Sequence, residues 1–131
     1  MSGSFADSNV LLYLLSEDER KRQIARSLVA ADLVISVQVL NEIANVARRK
    51  HGMGWDQIDA FLTELMPLLS VRPLTVETHE AGRLVAARYG FAFYDSLIVA
   101  ASIEADCTML FSEDLQHGQQ VGNLTITNPF R

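Results

Sequence analysis

Glu42 stands inside the run Val39-Leu40-Asn41-Glu42-Ile43-Ala44-Asn45-Val46, among residues that could fill a core. At helical spacing its neighbours are Gln38, Val39, Asn45 and Val46, which puts it at the border of an apolar face. Helix propensity does not call for a glutamate there. A buried carboxylate without a partner would sooner take up a proton than stay charged. Three more of the 16 acids share this oddity. Asp7 follows Phe5-Ala6, Asp95 opens a nearly all-apolar stretch, and Asp114 follows Met109-Leu110-Phe111-Ser112. Most others, such as Glu17, Asp18, Glu19, Asp56, Asp59 and Glu64, lie in ordinary polar surroundings. Lysine occurs only at positions 21 and 50. Arginine could neutralise one of the four acids but hardly all of them. Carboxylates within ~4–6 Å raise each other's pKa, and a divalent cation relieves that repulsion. Ligation by oxygen alone selects Mg²⁺ or Mn²⁺ over zinc or copper. An ion with few protein ligands keeps several waters, one of which can become a nucleophile. Each acid also has a plainer reading: Asp7 and Asp95 as helix caps, Asp114 as the head of an Asx-turn.

Metal chemistry requires the chain to bring these distant positions together. Short apolar runs alternate with helical stretches, the pattern of an α/β domain with a mostly parallel sheet. Strands are predicted at Ser4–Asp7, Leu33–Ser36, Val71–Leu74, Thr108–Ser112 and Leu124–Thr127, about five in all. Helices are predicted over Asn9–Leu15, Glu17–Ala30, Gln38–Lys50, Trp55–Met66, Val76–Tyr89 and from Asp95 or Ser96 to Ala105. His51-Gly52-Met53-Gly54 breaks one helix from the next. Pro67 ends or kinks the fourth helix, and Gly90 caps the fifth. In a parallel sheet the strand ends and the following helix starts share one edge, where ligands bind. Asp7, Asp95 and Asp114 therefore converge on one rim, and Glu42, a turn into its helix, can reach it.

The chain has 131 residues, about half of them apolar, enough for one domain with its own core. A single cysteine, Cys107, rules out an internal disulfide and Cys-rich zinc sites, and suits a reducing cytoplasm. The N-terminal apolar run is short, lacks a preceding positive region and is preceded by Asp7. It reads as neither a signal peptide nor a membrane span. The net charge of −5 argues against a basic nucleic-acid-binding stripe. Acids concentrated around a metal ion would leave the remaining surface nearly neutral, however, and the ion inverts the local field.

Four segments, FADSNVLLYLL, ISVQVLNEIANV, FYDSLIVAAS and LFSEDLQHG, occur in this order and span nearly the whole chain. Together they resemble the PIN-domain ribonucleases, most closely the VapC-type toxins of bacterial toxin–antitoxin pairs. The resemblance implies one PIN-like domain over residues 1–131 and metal-dependent cleavage of RNA. Asp7, Glu42, Asp95 and Asp114 would hold one or two Mg²⁺ or Mn²⁺ ions that activate water for in-line attack on a phosphodiester. Glu42 or Asp95 would also help take the proton. Asn9 and Ser112, the latter at the family's Thr/Ser position, would orient the carboxylates; turn and cap chemistry is their plain alternative. Glu113 reads as a solvated acid rather than a ligand to a second ion.

The implied partners are an RNA substrate, an antitoxin protein and a second copy of the chain. Phosphate contacts require cations. The candidates are Arg20, Arg22, Arg48 and Arg49, with Lys21, Arg26 and Lys50 beside them, and solvated helix faces are the alternative reading. Arg83 and Arg88 are open to pairing with the antitoxin. His51, His79 and His117 lack a metal-ligand spacing and read as surface residues. The apolar stretch from Gly52 to Leu69, with Met53, Trp55, Phe61 and Met66, resembles the surface the family uses for dimers and for the antitoxin helix. Some of Trp55, Met53 and Phe61 are therefore expected to stay exposed until bound. Two rival functions fit the pattern less well. A receiver or haloacid-dehalogenase-type domain needs a lysine late in the chain, and none follows Lys50; Asp7-Ser8-Asn9 also lacks the second acid of a D-x-D nucleophile. A catalytically silent PIN-fold binding module would usually lack one of the four acids.

Overall fold

The computed structural model describes residues 3–131; the first two residues of the expected 1–131 domain lie outside it. The elements in chain order are β1 (Ser4–Ala6), α1 (Ser8–Leu12), a 3₁₀ turn (Tyr13–Leu15), α2 (Glu19–Val29), β2 (Val34–Ser36), α3 (Val37–Arg49) and α4 (Trp55–Leu65). A second 3₁₀ turn (Met66–Leu68), β3 (Ser70–Arg72), α5 (Val76–Tyr89), α6 (Phe93–Glu104), β4 (Met109–Phe111), β5 (Gln120–Val121) and β6 (Leu124–Thr127) follow. This is an α/β fold whose six strands lie in the order β3-β2-β1-β4-β6-β5. All pairings are parallel except β5 with β6. The sixth strand is β5, two residues long, too short to show any alternation in the sequence. Among the described residues no single helix is long and apolar enough to cross a membrane.

The chain runs from β1 outward through β2 to β3 and then returns with β4 on the other side of β1. The reversal leaves a crevice beyond the carboxyl ends of β1 and β4, the usual ligand position in such sheets. Asp7 lies just past β1 and Ser112 just past β4. The ladder continues to this level: the Asp7 amide donates to the Phe111 carbonyl at 2.9 Å, and the Ser112 amide to the Thr127 carbonyl at 3.0 Å. The rim is thus backed by hydrogen-bonded strand backbone.

Phe5, Ile35, Leu110 and Ile126 supply the centre of the core from the strands, and Leu11, Val39, Ile43 and Ile98 pack on them from the helices. Residues Ser96 to Ser102 of α6 are all buried, which explains a helix with almost no polar face. Its two serines satisfy themselves within the helix: Ser96 Oγ donates to the Ala92 carbonyl at 3.0 Å and Ser102 Oγ to the Ile98 carbonyl at 2.8 Å. Helix α5 approaches α6 closely at Gly82, where a Cβ would come within 2.7 Å of a Leu97 methyl carbon. Gly90 closes α5 at φ 77°, the left-handed cap expected from the sequence. Pro67 falls in the second 3₁₀ turn, which finishes α4.

One boundary moves a functional residue. Helix α6 starts at Phe93 after an Ala92 cap that lends no side-chain bond, so Asp95 sits inside the first turn instead of opening the helix. The cap reading of Asp95 is therefore wrong. Its carboxylate lies near the positive end of the helix dipole, which favours a negative charge.

Candidate metal centre

The centre is assembled from short pieces. Asp7 follows β1 directly and caps α1, accepting the Ser8 amide at 2.8 Å. It is both a cap and part of the acid group, so its two sequence readings are compatible. Its other carboxylate oxygen accepts from Ser112 Oγ at 2.8 Å and from Asn9 Nδ2 at 3.2 Å. The Asn9 amide group is spread over two further acceptors, Ser112 Oγ at 3.4 Å and Asp114 Oδ2 at 3.2 Å. On the opposite side, Ser8 Oγ lies 2.7 Å from Glu42 Oε1 and 3.4 Å from Asp7 Oδ1. Its single proton favours Glu42 on distance. Gln38, one turn before Glu42 on α3, donates to Glu42 Oε2 at 3.1 Å. A continuous chain of donors thus links Asp114, Asp7 and Glu42.

Asp95 joins electrostatically. Burial, then the charges of Glu42 and Asp114, raises its pKa above the usual carboxylate value. For Asp7, 3% exposed, burial is the main cause of a pKa pushed up to about 7; repulsion from Glu42 and Asp95 adds to it, against hydrogen bonds from Ser112 and Ser8. The four acids therefore form one group of mutually repelling charges. Among the described residues the only salt bridge is Lys21 with Glu113, so no lysine or arginine is paired with any of the four.

The donor set suits a hard divalent cation, being oxygen throughout with no sulfur or imidazole. Among the described residues no three His, Cys, Asp or Glu side chains stand closed around a common point. Ser8 and Asn9 instead bridge the carboxylates, as the distances above show. The residues fit a metal as a set of neighbouring oxygen ligands, held together by hydroxyl and amide donors.

Asn9 and Ser112 both touch Asp7. Ser8 and Gln38, which are not among the residues expected to orient the carboxylates, touch the acids as directly. Adjacency to Asp7 marked the first, and the four-residue helical spacing to Glu42 marked the second. Glu113 is a correction. It is not a free solvated acid: its side chain, about a quarter exposed, receives the Lys21 ammonium at 2.6 Å and the Tyr13 hydroxyl. Three of the candidate phosphate contacts donate to backbone carbonyls: Arg20 to Phe130, Arg22 to Ser16 and Arg48 to Met53. Arg49 is exposed. Arg48 also lies over the Trp55 ring, its guanidinium carbon 5.5 Å from the centroid. His51, His79 and His117 are all exposed.

The sequence model of the PIN domain matches residues 4–120. A search of curated proteins finds no match. Among solved structures, VapC20 of Mycobacterium tuberculosis, described as a toxin cleaving the sarcin–ricin loop, superposes with a TM-score of 0.70 at 19% identity, covering 86% of this chain and 90% of that one. A toxin–antitoxin complex from Klebsiella pneumoniae gives 0.74 at 16% identity, covering 97% and 98%. DNA-bound VapBC from Salmonella typhimurium gives 0.73 at 16%, covering 98% and 99%. At these identities the superpositions report the fold.

The Asp7 environment sets the pH dependence of the metal-free protein. Its pKa rises from 3.8 unfolded to about 7 folded. The folded state therefore holds a proton that the unfolded chain releases. That contribution to stability is complete below pH 3.8 and is lost as pH rises through about 7. The loss is roughly 4 kcal/mol if Asp7 titrates alone. Denaturant unfolding in chelator should show Asp7→Asn more stable than wild type at pH 8, with the two converging in acid. Wild type as stable as the variant at pH 8 would contradict this environment.

Proposed function

Since this chain belongs to the PIN domain family, we propose that it is a Mg²⁺- or Mn²⁺-dependent endoribonuclease, the toxin of a VapBC-type toxin–antitoxin pair acting in the cytoplasm. The reading is supported above all by the gathering of Asp7, Glu42 and Asp114 through Ser8 and Asn9, with Asp95 within their field and, among the described residues, no cationic side chain paired to any of them. In it Asp7, Glu42, Asp95 and Asp114 hold the ion. When bound, a divalent ion supplies positive charge against the charge developing on the phosphodiester and makes water acidic enough to attack. Ser112 and Asn9 fix the rotamer of Asp7, while Ser8 and Gln38 fix that of Glu42. Glu42 or Asp95, both half-buried, takes the proton from the attacking water. Arg20, Arg22, Arg48 and Arg49 contact RNA phosphates outside the acid group.

The partner surface lies on the helices. Between α2 and α4 runs a groove of about 620 Å³ lined by Leu14, Val29, Phe61, Leu65 and Leu68 together with Arg26. Its apolar lining suits one face of an amphipathic antitoxin helix. Trp55 is 60% exposed at the start of α4, while Met53 and Phe61 are half-buried, so Trp55 is the natural contact between two copies. One structural neighbour is described as a toxin–antitoxin complex and two as VapBC bound to DNA, which supports pairing with an antitoxin.

Two experiments test this. Purified protein on structured RNAs should cleave with Mg²⁺ or Mn²⁺ and stop in chelator. Asp7→Asn and Asp95→Asn should each lose on the order of a hundredfold or more, since metal stabilisation is worth several kcal/mol of barrier. Cleavage at equal rates by wild type and both variants would end the nuclease assignment. Separately, the mass in solution should be that of a dimer and should fall with Trp55→Ala; an unchanged mass removes Trp55 from the contact.

A further inference from the structure

The segment carrying Asp114 is held from two sides. From within, Asn9 Oδ1 accepts the Glu113 amide at 3.0 Å while Asn9 Nδ2 donates to Asp114 at 3.2 Å. The Leu115 amide also donates to Ser112 Oγ at 3.3 Å. From without, the Glu113 side chain is gripped by elements far away in sequence. Lys21 of α2 donates to Glu113 Oε2 at 2.6 Å and to the Tyr13 hydroxyl at 3.1 Å, and Tyr13 donates to the other Glu113 oxygen. The ammonium sits over two rings, 4.7 Å from the Tyr13 centroid and 5.5 Å from that of Phe130. Those rings meet edge to face at 4.7 Å. Arg20 completes the clasp by donating to the Phe130 carbonyl at 2.7 Å. Burial alone would raise the Glu113 pKa, but hydrogen bonds from Lys21 and Tyr13 hold it below the usual carboxylate range.

Asp114 is exposed. Its one side-chain hydrogen bond among the described residues comes from Asn9, whose amide is shared three ways. A ligand so lightly restrained needs its backbone fixed to stay in register with Asp7. The clasp supplies that restraint one residue away. We infer that Glu113, clamped by Lys21 and Tyr13, is a positioning residue that sets the affinity of the centre for its divalent ion through the placement of Asp114. The inference rests on the metal-dependent reading above and deepens it: the chain spends a lysine on orienting the segment rather than on substrate.

Charge alone predicts the opposite sign for one variant, which makes the inference testable. Lys21→Met removes a positive charge near the acids, so simple electrostatics would tighten cation binding. Loss of positioning weakens it. Mn²⁺ binding to the purified full chain, followed by electron paramagnetic resonance, should show Lys21→Met and Glu113→Gln each weakened about tenfold, the low end for partners beyond the ligands themselves. The double variant should be no weaker than either single one, because both break one contact. Lys21→Arg should retain most of the affinity, and unfolding midpoints verify that every variant is folded. Mn²⁺ held by Lys21→Met as tightly as by wild type, or more tightly, overturns the inference and leaves the metal reading standing. Wild type that binds no Mn²⁺ overturns both.

Discussion

The burial of carboxylates at one sheet edge, sharpened by their mutual repulsion, is the constraint on which this site depends. Asp7 lies almost entirely out of solvent at the mouth of a parallel sheet, with the fields of Glu42 and Asp95 pressing on it. A protein selected for stability alone would place a serine or asparagine there, since burying an unpaired charge is costly. Here the nearby hydroxyls and amides of Ser8, Asn9, Ser112 and Gln38 lower part of that cost without neutralising any charge. The arrangement makes it costly to keep these acids charged, which is the basis of the proposal that they take up a cation.

The rest of the fold serves to keep that tension in place. Each acid stands at the end of a strand or in the first turns of a helix, where position is set by backbone hydrogen bonding. The strand reversal puts β1 beside β4, so that Asp7 and Ser112 are neighbours despite their distance along the chain. Helix α6 is buried along its middle and cannot slide, which fixes Asp95. Asp114 is the exception, because it sits on a segment past β4 with no helix behind it. The Lys21–Glu113–Tyr13 clasp lies where the sheet's own support stops.

Much of this was legible in the sequence because its causes are local. The apolar runs of β1, β2 and β4, the helical period of α3 and the Gly90 stop are properties of short stretches. The acids stood out because their surroundings conflict with their charge. What could not be read depended on contacts across the chain. β5 exists only because β6 offers it an edge, and two residues carry no pattern of their own. Helix α6 begins at Phe93 without a side-chain cap, so nothing in its sequence announces the start. Glu113 looked solvated because Lys21, which holds it, lies some ninety positions earlier. Ser8 and Gln38 were marked by their spacing from Asp7 and Glu42, but the bond from Ser8 to Glu42, 34 positions away, exists only once the fold brings α1 beside α3.

We propose above that the oxygens of Asp7, Glu42, Asp95 and Asp114 form one cation site. Crystals soaked in Mn²⁺ and measured at the manganese absorption edge test it most directly. An anomalous peak is expected in contact with carboxylate oxygens of Asp7 and of at least two of Glu42, Asp95 and Asp114. A peak seated elsewhere, or no peak while the four side chains keep their metal-free positions, would contradict it.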